Sequence, residues 1–126
     1  MIEALDHVNI RTAQLDAMVA WYRDVLGFES GDRPNFPFPG AWLYANGRPL
    51  VHLVGTDAPP SEPGEDAKLE HGAFRASGLK TFLERLEARG EQHKLYPVEA
   101  VGILQVHVWD PDGNHIHVDF PAEEHA

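Results

Sequence analysis

The chain has 126 residues, no cysteine and a formal net charge of −10, from 10 basic and 20 acidic side chains. The absence of cysteine excludes a disulfide scaffold, a thiolate zinc site, an iron–sulfur cluster and a cysteine nucleophile. The acidic balance argues against nucleic acid or an anionic membrane as the main partner, since both require a positive surface. A hydrophobic content of 43% with 24% charged residues fits a globular chain rather than a disordered one. The length suits one domain of roughly 100–150 residues. The N-terminal segment MIEALDHVNI has no basic region followed by a long apolar run, so neither a signal peptide nor a membrane span is expected. These exclusions give the expectation of a cytoplasmic protein. Eight histidines stand against two methionines and three tyrosines. Histidine is the commonest metal ligand, so their placement is the question the sequence raises.

In chain order, residues 5–11 alternate, with Leu5, His7 and Asn9 set against Asp6, Val8 and Ile10, and predict a strand. Thr12 is the expected cap of a helix whose apolar face is Leu15, Met18, Val19, Tyr22 and Leu26, with Gly27 as its stop. Strands are expected near 41–45 and 49–54. Residues 55–66 hold three prolines, two glycines and four acids, and read as an exposed connector. The second half begins with a strand over 69–76. Ser77 is the expected cap of a helix with Leu79, Phe82, Leu83 and Leu86 on one face, stopped by Gly90. Strands near 93–97, 102–109 and 115–120 follow, with Asp110–Asn114 as the turn between the last two.

The two halves repeat one another at an offset of 64. Leu5, Asp6, His7, Arg11 and Leu15 match Leu69, Glu70, His71, Arg75 and Leu79, and Val19 and Tyr22 match Leu83 and Leu86. Gly47–Leu53 likewise resembles Gly113–Val118, which sets His52 against His117. Each half therefore reads as β-α-β-β-β: module one about 4–55, a linker about 56–67, and module two about 68–121, within one domain over 1–126. The repeat places His7 and His71 on first strands, and His52 and His117 on last strands. A lone strand histidine is more often a surface or hydrogen-bonded residue than a ligand. Four in equivalent positions favour metal ligation, with Zn²⁺, Ni²⁺, Cu²⁺ or Fe²⁺ better suited to imidazole than Mg²⁺ or Ca²⁺. His125 in the polar tail and His93 at a strand start read as surface residues. His115 shares a strand face with His117 and Asp119 and reads as a neighbour of the site or a surface residue. His107, between Gln105 and Trp109 on the preceding strand, could equally line a pocket or serve packing.

Leu5-Asp6-His7-Val8, Trp21–Phe28, Glu70–Arg75 and Asp110-Pro111-Asp112-Gly113-Asn114 leading to Ile116-His117-Val118 together resemble the vicinal oxygen chelate superfamily. That superfamily includes glyoxalase I, extradiol dioxygenases, bleomycin-resistance proteins and fosfomycin-resistance thiol transferases. The resemblance spans about residues 4–120. It implies an α+β fold of two βαβββ modules forming a curved mixed sheet around a divalent metal, in a homodimer. It places the four metal positions on His7, His52, His71 and His117, where metal-dependent glyoxalases typically read His, Glu, His, Glu. Both carboxylate positions are histidine here. His52 or His117 could then take over the base role of a metal-site glutamate, since imidazole titrates near neutrality. Asp119 is the nearest spare carboxylate and reads as a supporting or surface acid.

The implied function is a divalent-metal-dependent enzyme of the glyoxalase type, a lyase or isomerase that enolises a small substrate with vicinal oxygens. The metal would be Ni, Zn or Fe, and a thiol cosubstrate such as glutathione fits that chemistry. One alternative is an Fe(II) extradiol-type dioxygenase acting on a catechol-like substrate with His7, His71 and His117. The other is a bleomycin-resistance-type binding protein without catalysis. Residues 32–44 pack four aromatics and three prolines into thirteen residues and read either as a pocket wall or as a covering loop. Tyr96 could reach the same pocket. Arg11 and Arg75 are expected to pair with acids such as Asp6 and Glu70.

Overall fold

Alternating burial along the strands and a 3.6-residue apolar repeat along the helices sort this chain into two sheets, each with a helix on one face. The computed structural model describes residues 1, 3–59 and 68–125. Most of the expected linker, residues 60–67, lies outside the described residues. The chain divides into two compact units, Met1–Ser61 and Glu62–Ala126. The fold is α+β, and each unit has the order β-α-β-β-β.

The first unit contains β1 (Val8–Thr12), α1 (Leu15–Asp24), β2 (Glu29–Gly31), β3 (Gly40–Ala45) and β4 (Arg48–Gly55). Its sheet order is β1-β4-β3-β2, with β1 parallel to β4 and the other pairs antiparallel. Joining the parallel pair requires a crossover, which the helix and the β2–β3 hairpin supply. Ala41, Leu43, Val51 and Leu53 are buried, as are Met18, Trp21, Tyr22, Val25 and Phe28 of the helix and its exit. The buried helical stripe is thus centred on Met18, Trp21, Tyr22 and Val25. Leu15, Val19 and Leu26 are only half-buried, because the i, i+3, i+4, i+7 positions counted from Met18 are those that face the sheet. β2 was not located by the sequence pattern; its three residues Glu-Ser-Gly are all exposed and carry no alternation to detect.

Two expected caps are corrected. Thr12 ends β1 and is buried; it lies two residues before the N-cap, Gln14, and its hydroxyl accepts a hydrogen bond from the Gln14 N–H at 3.0 Å. In the second unit the N-cap is Gly78, at φ 90°, rather than Ser77. There the Glu124 carboxylate accepts hydrogen bonds from the N–H groups of Gly78 (3.0 Å) and Leu79 (3.2 Å).

The second unit contains β5 (His71–Arg75), α2 (Leu79–Arg89), β6 (His93–Val98), β7 (Ile103–Trp109) and β8 (His115–Pro121), in sheet order β5-β8-β7-β6. β5 runs parallel to β8, and the other pairs are antiparallel. Leu104, Val106 and Val108 alternate with Gln105, His107 and Trp109; Ile116, Val118 and Phe120 alternate with His115, His117 and Asp119. The aliphatic set is buried together with Leu79, Phe82 and Leu86 of α2, and the Phe82 and Phe120 rings lie 5.4 Å apart. Strand alternation therefore puts the imidazoles on the face turned away from the helix. The Asp110–Asn114 turn closes as expected: Asp110 Oδ1 accepts from the N–H groups of Asp112 and Asn114, and Gly113 sits at φ 82°. Among the described residues no helix is long and apolar enough to cross a membrane.

Candidate functional site

In the first unit, register pairs Asn9 and Trp42 with His52 on the sheet face opposite α1. His7 precedes β1 by one residue instead of lying within it. Its ring stacks on His52 with centroids 3.8 Å apart and 12° between planes. The other face of His52 stacks on Trp42 at 4.1 Å. Beyond Trp42 lie Phe36 and Phe38, themselves stacked, with the Arg33 guanidinium about equidistant from both rings at 5.0 and 5.1 Å. The aromatic loop thus walls this face of the sheet.

Hydrogen bonds fix the nitrogens. His7 Nδ1–H donates to Asp6 at 2.7 Å, which leaves Nε2 directed outward. His52 Nε2–H donates to the Pro49 carbonyl at 3.0 Å, which leaves Nδ1 with its lone pair. Burial, reinforced by the neighbouring His7, pushes the His52 pKa below the ordinary imidazole range. The carboxyl of Asp6 is held below its ordinary value, chiefly by its hydrogen bond to His7.

In the second unit, β5, β8 and β7 present His71, His115, His117, Asp119, His107, Gln105 and Trp109 on one face. Register sets His71 beside His115, and His117 beside His107. His117 is buried, and its Nδ1–H donates to Asp119 Oδ1 at 2.6 Å. The His71 and His117 rings lie 4.6 Å apart. Asp119 therefore orients His117. Glu70 bridges two imidazoles: Oε2 meets His71 Nδ1 and Oε1 meets His115 Nδ1 at 3.1 Å. These bonds lower its carboxyl pKa. His115 Nε2 faces His107 Nδ1 at 2.7 Å, and His107 Nε2 faces Gln105 Oε1 at 2.8 Å. Trp109 stacks on His115 with 11° between planes. Burial, with the nearby His115, His117 and His71, lowers the His107 pKa.

Each unit thus brings together one pair of the sequence-selected histidines, His7 with His52 and His71 with His117. The expected ion pairs of Arg11 and Arg75 are not formed among the described residues. Asp6 is engaged by His7 and Arg48, and Glu70 by His71 and His115. His115 and His107 belong to the second cluster. His93 is instead tied locally to the Glu91 carbonyl, and His125 is exposed. Tyr96 approaches His107 edge-on at 6.3 Å. Sequence reasoning undervalued Glu70, although the repeated acid–histidine pairs Asp6-His7 and Glu70-His71 carried its signal. A cavity of about 600 Å³ beside Gly31, Tyr44 and Asn46 has no imidazole in its lining.

Imidazole and carboxylate groups gathered in this way could hold a transition-metal ion. His7, His71 and His117 each engage a carboxylate through Nδ1, the arrangement that fixes metal-ligating imidazoles and presents Nε2.

The profile of the Glyoxalase/Bleomycin resistance protein/Dioxygenase superfamily matches residues 4–118. A protein of Arabidopsis thaliana named Glyoxylase I 4 is 31% identical over 118 residues, covering 89% of this chain and 67% of that protein. Among solved structures, a glyoxylase/bleomycin resistance protein/dioxygenase domain from Frankia sp. EAN1pec superposes with a TM-score of 0.79 at 16% identity, covering 96% of this chain and 99% of that one. The fosfomycin resistance protein FosX of Listeria monocytogenes superposes with a TM-score of 0.74 at 16% identity, covering 98% of each chain.

Proposed function

From the premise that this chain belongs to the Glyoxalase/Bleomycin resistance protein/Dioxygenase superfamily, we propose that it is a divalent-metal-dependent enzyme of the glyoxalase type. Its substrate would be a small carbonyl compound with vicinal oxygens, such as the adduct of an α-ketoaldehyde with a thiol like glutathione. The carrying observation is the Asp119–His117 pair: a buried imidazole whose Nδ1–H is held by a carboxylate at 2.6 Å, leaving Nε2 to receive a proton.

His7, His52, His71 and His117 are the proposed metal residues, and Ni, Zn or Fe the proposed ion, since imidazole nitrogen suits these metals. When bound, such an ion polarises a substrate oxygen and acidifies the adjacent C–H. His52 and His117 are the proposed proton carriers, each in the role of a histidine released from the ion so that its ring nitrogen is free to take the proton. Moving a proton between adjacent carbons requires a base that accepts at one carbon and returns the proton at the other. His117 is the better placed of the two. Asp119 fixes its tautomer and stays hydrogen-bonded while the ring carries a second proton. His52 lies in a stack between His7 and Trp42, where burial disfavours the imidazolium that a base must become. Within the first unit, the aromatic wall of Trp42, Phe36 and Phe38 would shield a group held at His7 and His52 from water. A homodimer and a cytoplasmic location form part of this proposal, and light scattering at working concentration tests the first.

The test is turnover of the α-ketoaldehyde–glutathione adduct by protein loaded in turn with Ni²⁺, Zn²⁺ and Fe²⁺. His117→Gln should lower kcat by about 10²–10⁴-fold, the usual contribution of a general base. Asp119→Asn should lower it by about tenfold or more, with KM little changed, because it releases the tautomer and not the substrate. Oxygen uptake with catechols by the Fe²⁺ form, and none of this turnover, would replace the proposal with the dioxygenase reading. Ligand binding without either reaction would replace it with a sequestering role.

A further inference from the structure

The aromatic loop of the first unit carries a charge that the reading above does not use, that of Arg33. The two rings beside it are also unusual. Phe36 and Phe38 are 39% and 42% exposed, although a phenyl ring left in water forgoes the burial that would stabilise the fold. They nonetheless hold one arrangement, stacked 5.1 Å apart with 9° between planes. Prolines at 34, 37 and 39 restrict the backbone around both rings, and the Phe36 N–H donates to the Pro34 carbonyl at 2.8 Å. The pair is a preformed apolar platform. It continues towards the sheet through Trp42, 6.5 Å from Phe36, to His52, 4.1 Å from Trp42.

Arg33 is half-buried and fixed in place. Its guanidinium lies 5.0 and 5.1 Å from the two phenyl centroids, and Nη2 donates to the Phe38 carbonyl at 3.0 Å. Gly40 makes room for it: a Cβ there would meet the same Nη2 at 2.8 Å and the Leu53 carbonyl oxygen at 2.4 Å. A guanidinium has five N–H donors in a planar fork, and this single bond uses one. Arg23, Arg48 and Arg89 pair with acids, but Arg33 pairs with none among the described residues, in a chain of 20 acidic and 10 basic side chains. The remaining donors suit a two-oxygen acceptor such as a carboxylate.

We infer that Arg33, Phe36 and Phe38 form a specificity site for an aryl carboxylate, whose ring packs on the two phenylalanines and whose carboxylate pairs with the guanidinium. This deepens the proposed function and rests on it only for the rest of the molecule, a small carbonyl compound. It narrows that compound to one with an aromatic ring and a carboxylate remote from the carbonyl. An aliphatic acid would satisfy Arg33 alone, and a neutral arene the rings alone. The chain as a whole repels anions, so a preference for one must come from a local group.

The experiment is ¹H–¹⁵N NMR titration of the chelator-treated full chain with phenylacetate and with its uncharged counterpart phenylacetamide. Without metal, a carboxylate reports no ion. Phenylacetate should bind about tenfold tighter than phenylacetamide and shift the Arg33 Nε–H and Trp42 indole signals. Arg33→Gln keeps a donor for the Phe38 carbonyl, so it should erase that preference while phenylacetamide binds as before. Phe36→Leu combined with Phe38→Leu should weaken both probes to a similar degree. Equal binding of the two probes by wild type, an acid preference that survives Arg33→Gln, or an unmoved Arg33 signal would overturn the inference and leave the loop as a cover for the sheet. If the probes bind as expected but no metal-loaded form turns over an adduct, the specificity site stands and the enzymatic reading fails. If adducts are turned over but those of 4-carboxyphenylglyoxal and phenylglyoxal react with equal kcat/KM, the enzymatic reading stands and the inference fails.

Discussion

At the scale of single residues, the two last-strand histidines occupy opposite environments despite their repeat equivalence. His117 has a carboxylate at Nδ1, whereas His52 has a backbone carbonyl at Nε2 and aromatic rings on both faces. The difference has a measurable consequence in acid. Burial lowers the folded-state pKa of His52 below its unfolded value of about 6.5. Between those two values the unfolded chain binds more protons than the folded one, so stability falls as pH falls. The contribution is complete above a pH of about 6.5 and is lost as pH drops through the folded pKa. His107, shifted in the same direction, adds to the slope. His52→Phe keeps a ring in the stack and removes the titration. Urea midpoints of the chelator-treated protein should therefore fall as pH drops below about 6.5 in wild type and fall less steeply in the variant. Equal slopes would show that His52 is protonated as readily in the folded chain as in the unfolded one. His7, His52, His71 and His117 could be singled out from sequence because a repeat marks equivalent positions without knowledge of their surroundings. Two of their partners were also legible: Glu70 precedes His71 as Asp6 precedes His7, and strand alternation puts Asp119 on the face of His117. The Pro49 carbonyl was not, because its contact with His52 Nε2 is made by the backbone and leaves no mark in the side-chain pattern.

At the scale of elements, the helices and most strands follow from periodicity, and the errors lie where a distant group replaces a local one. Ser77 is a reasonable cap on local grounds. The chain instead turns at Gly78 in the left-handed region, and a carboxylate 46 residues away satisfies the free N–H groups at the start of α2. Glu124 comes from the short 3₁₀ turn Ala122–His125 that follows β8, so one ionic hydrogen-bond pair ties the C-terminal segment to the helix. The carboxylate both caps the helix and complements the positive end of its dipole. Glu124→Ala should lower stability by about 1 kcal/mol, read as a lower urea midpoint with an unchanged denaturant slope. Glu124→Gln retains an acceptor and should lose less. A midpoint unaffected by Glu124→Ala would mean that water serves the Gly78 and Leu79 N–H groups equally well. β2 escaped detection for a related reason: Glu29, Ser30 and Gly31 are held by pairing with Tyr44, Leu43 and Trp42, not by any preference of their own.

At the scale of the whole molecule, the acid excess and the histidine clusters must be separated before any cation effect is interpreted. A chain of net charge −10 attracts every divalent cation, and screening alone stabilises a self-repelling protein. A built site behaves differently, because it discriminates by donor type. Imidazole nitrogen favours Zn²⁺ or Ni²⁺ over Mg²⁺, which takes oxygen ligands and gives up its water reluctantly. An ion that binds only the folded chain and is present at 100 times its dissociation constant adds about 2.7 kcal/mol of stability. For a domain of this size that corresponds to a rise in Tm of about 10 °C. Thermal unfolding of chelator-treated protein should therefore shift upward by about that amount with Zn²⁺ and only slightly with Mg²⁺ at the same concentration and ionic strength. Chelator added to the Zn²⁺ form should reverse the shift. Equal effects of the two ions would assign the stabilisation to charge screening. An unchanged Tm with either ion would remove the metal from the reading of this fold altogether, since an ion that distinguishes the folded from the unfolded chain must move the equilibrium between them.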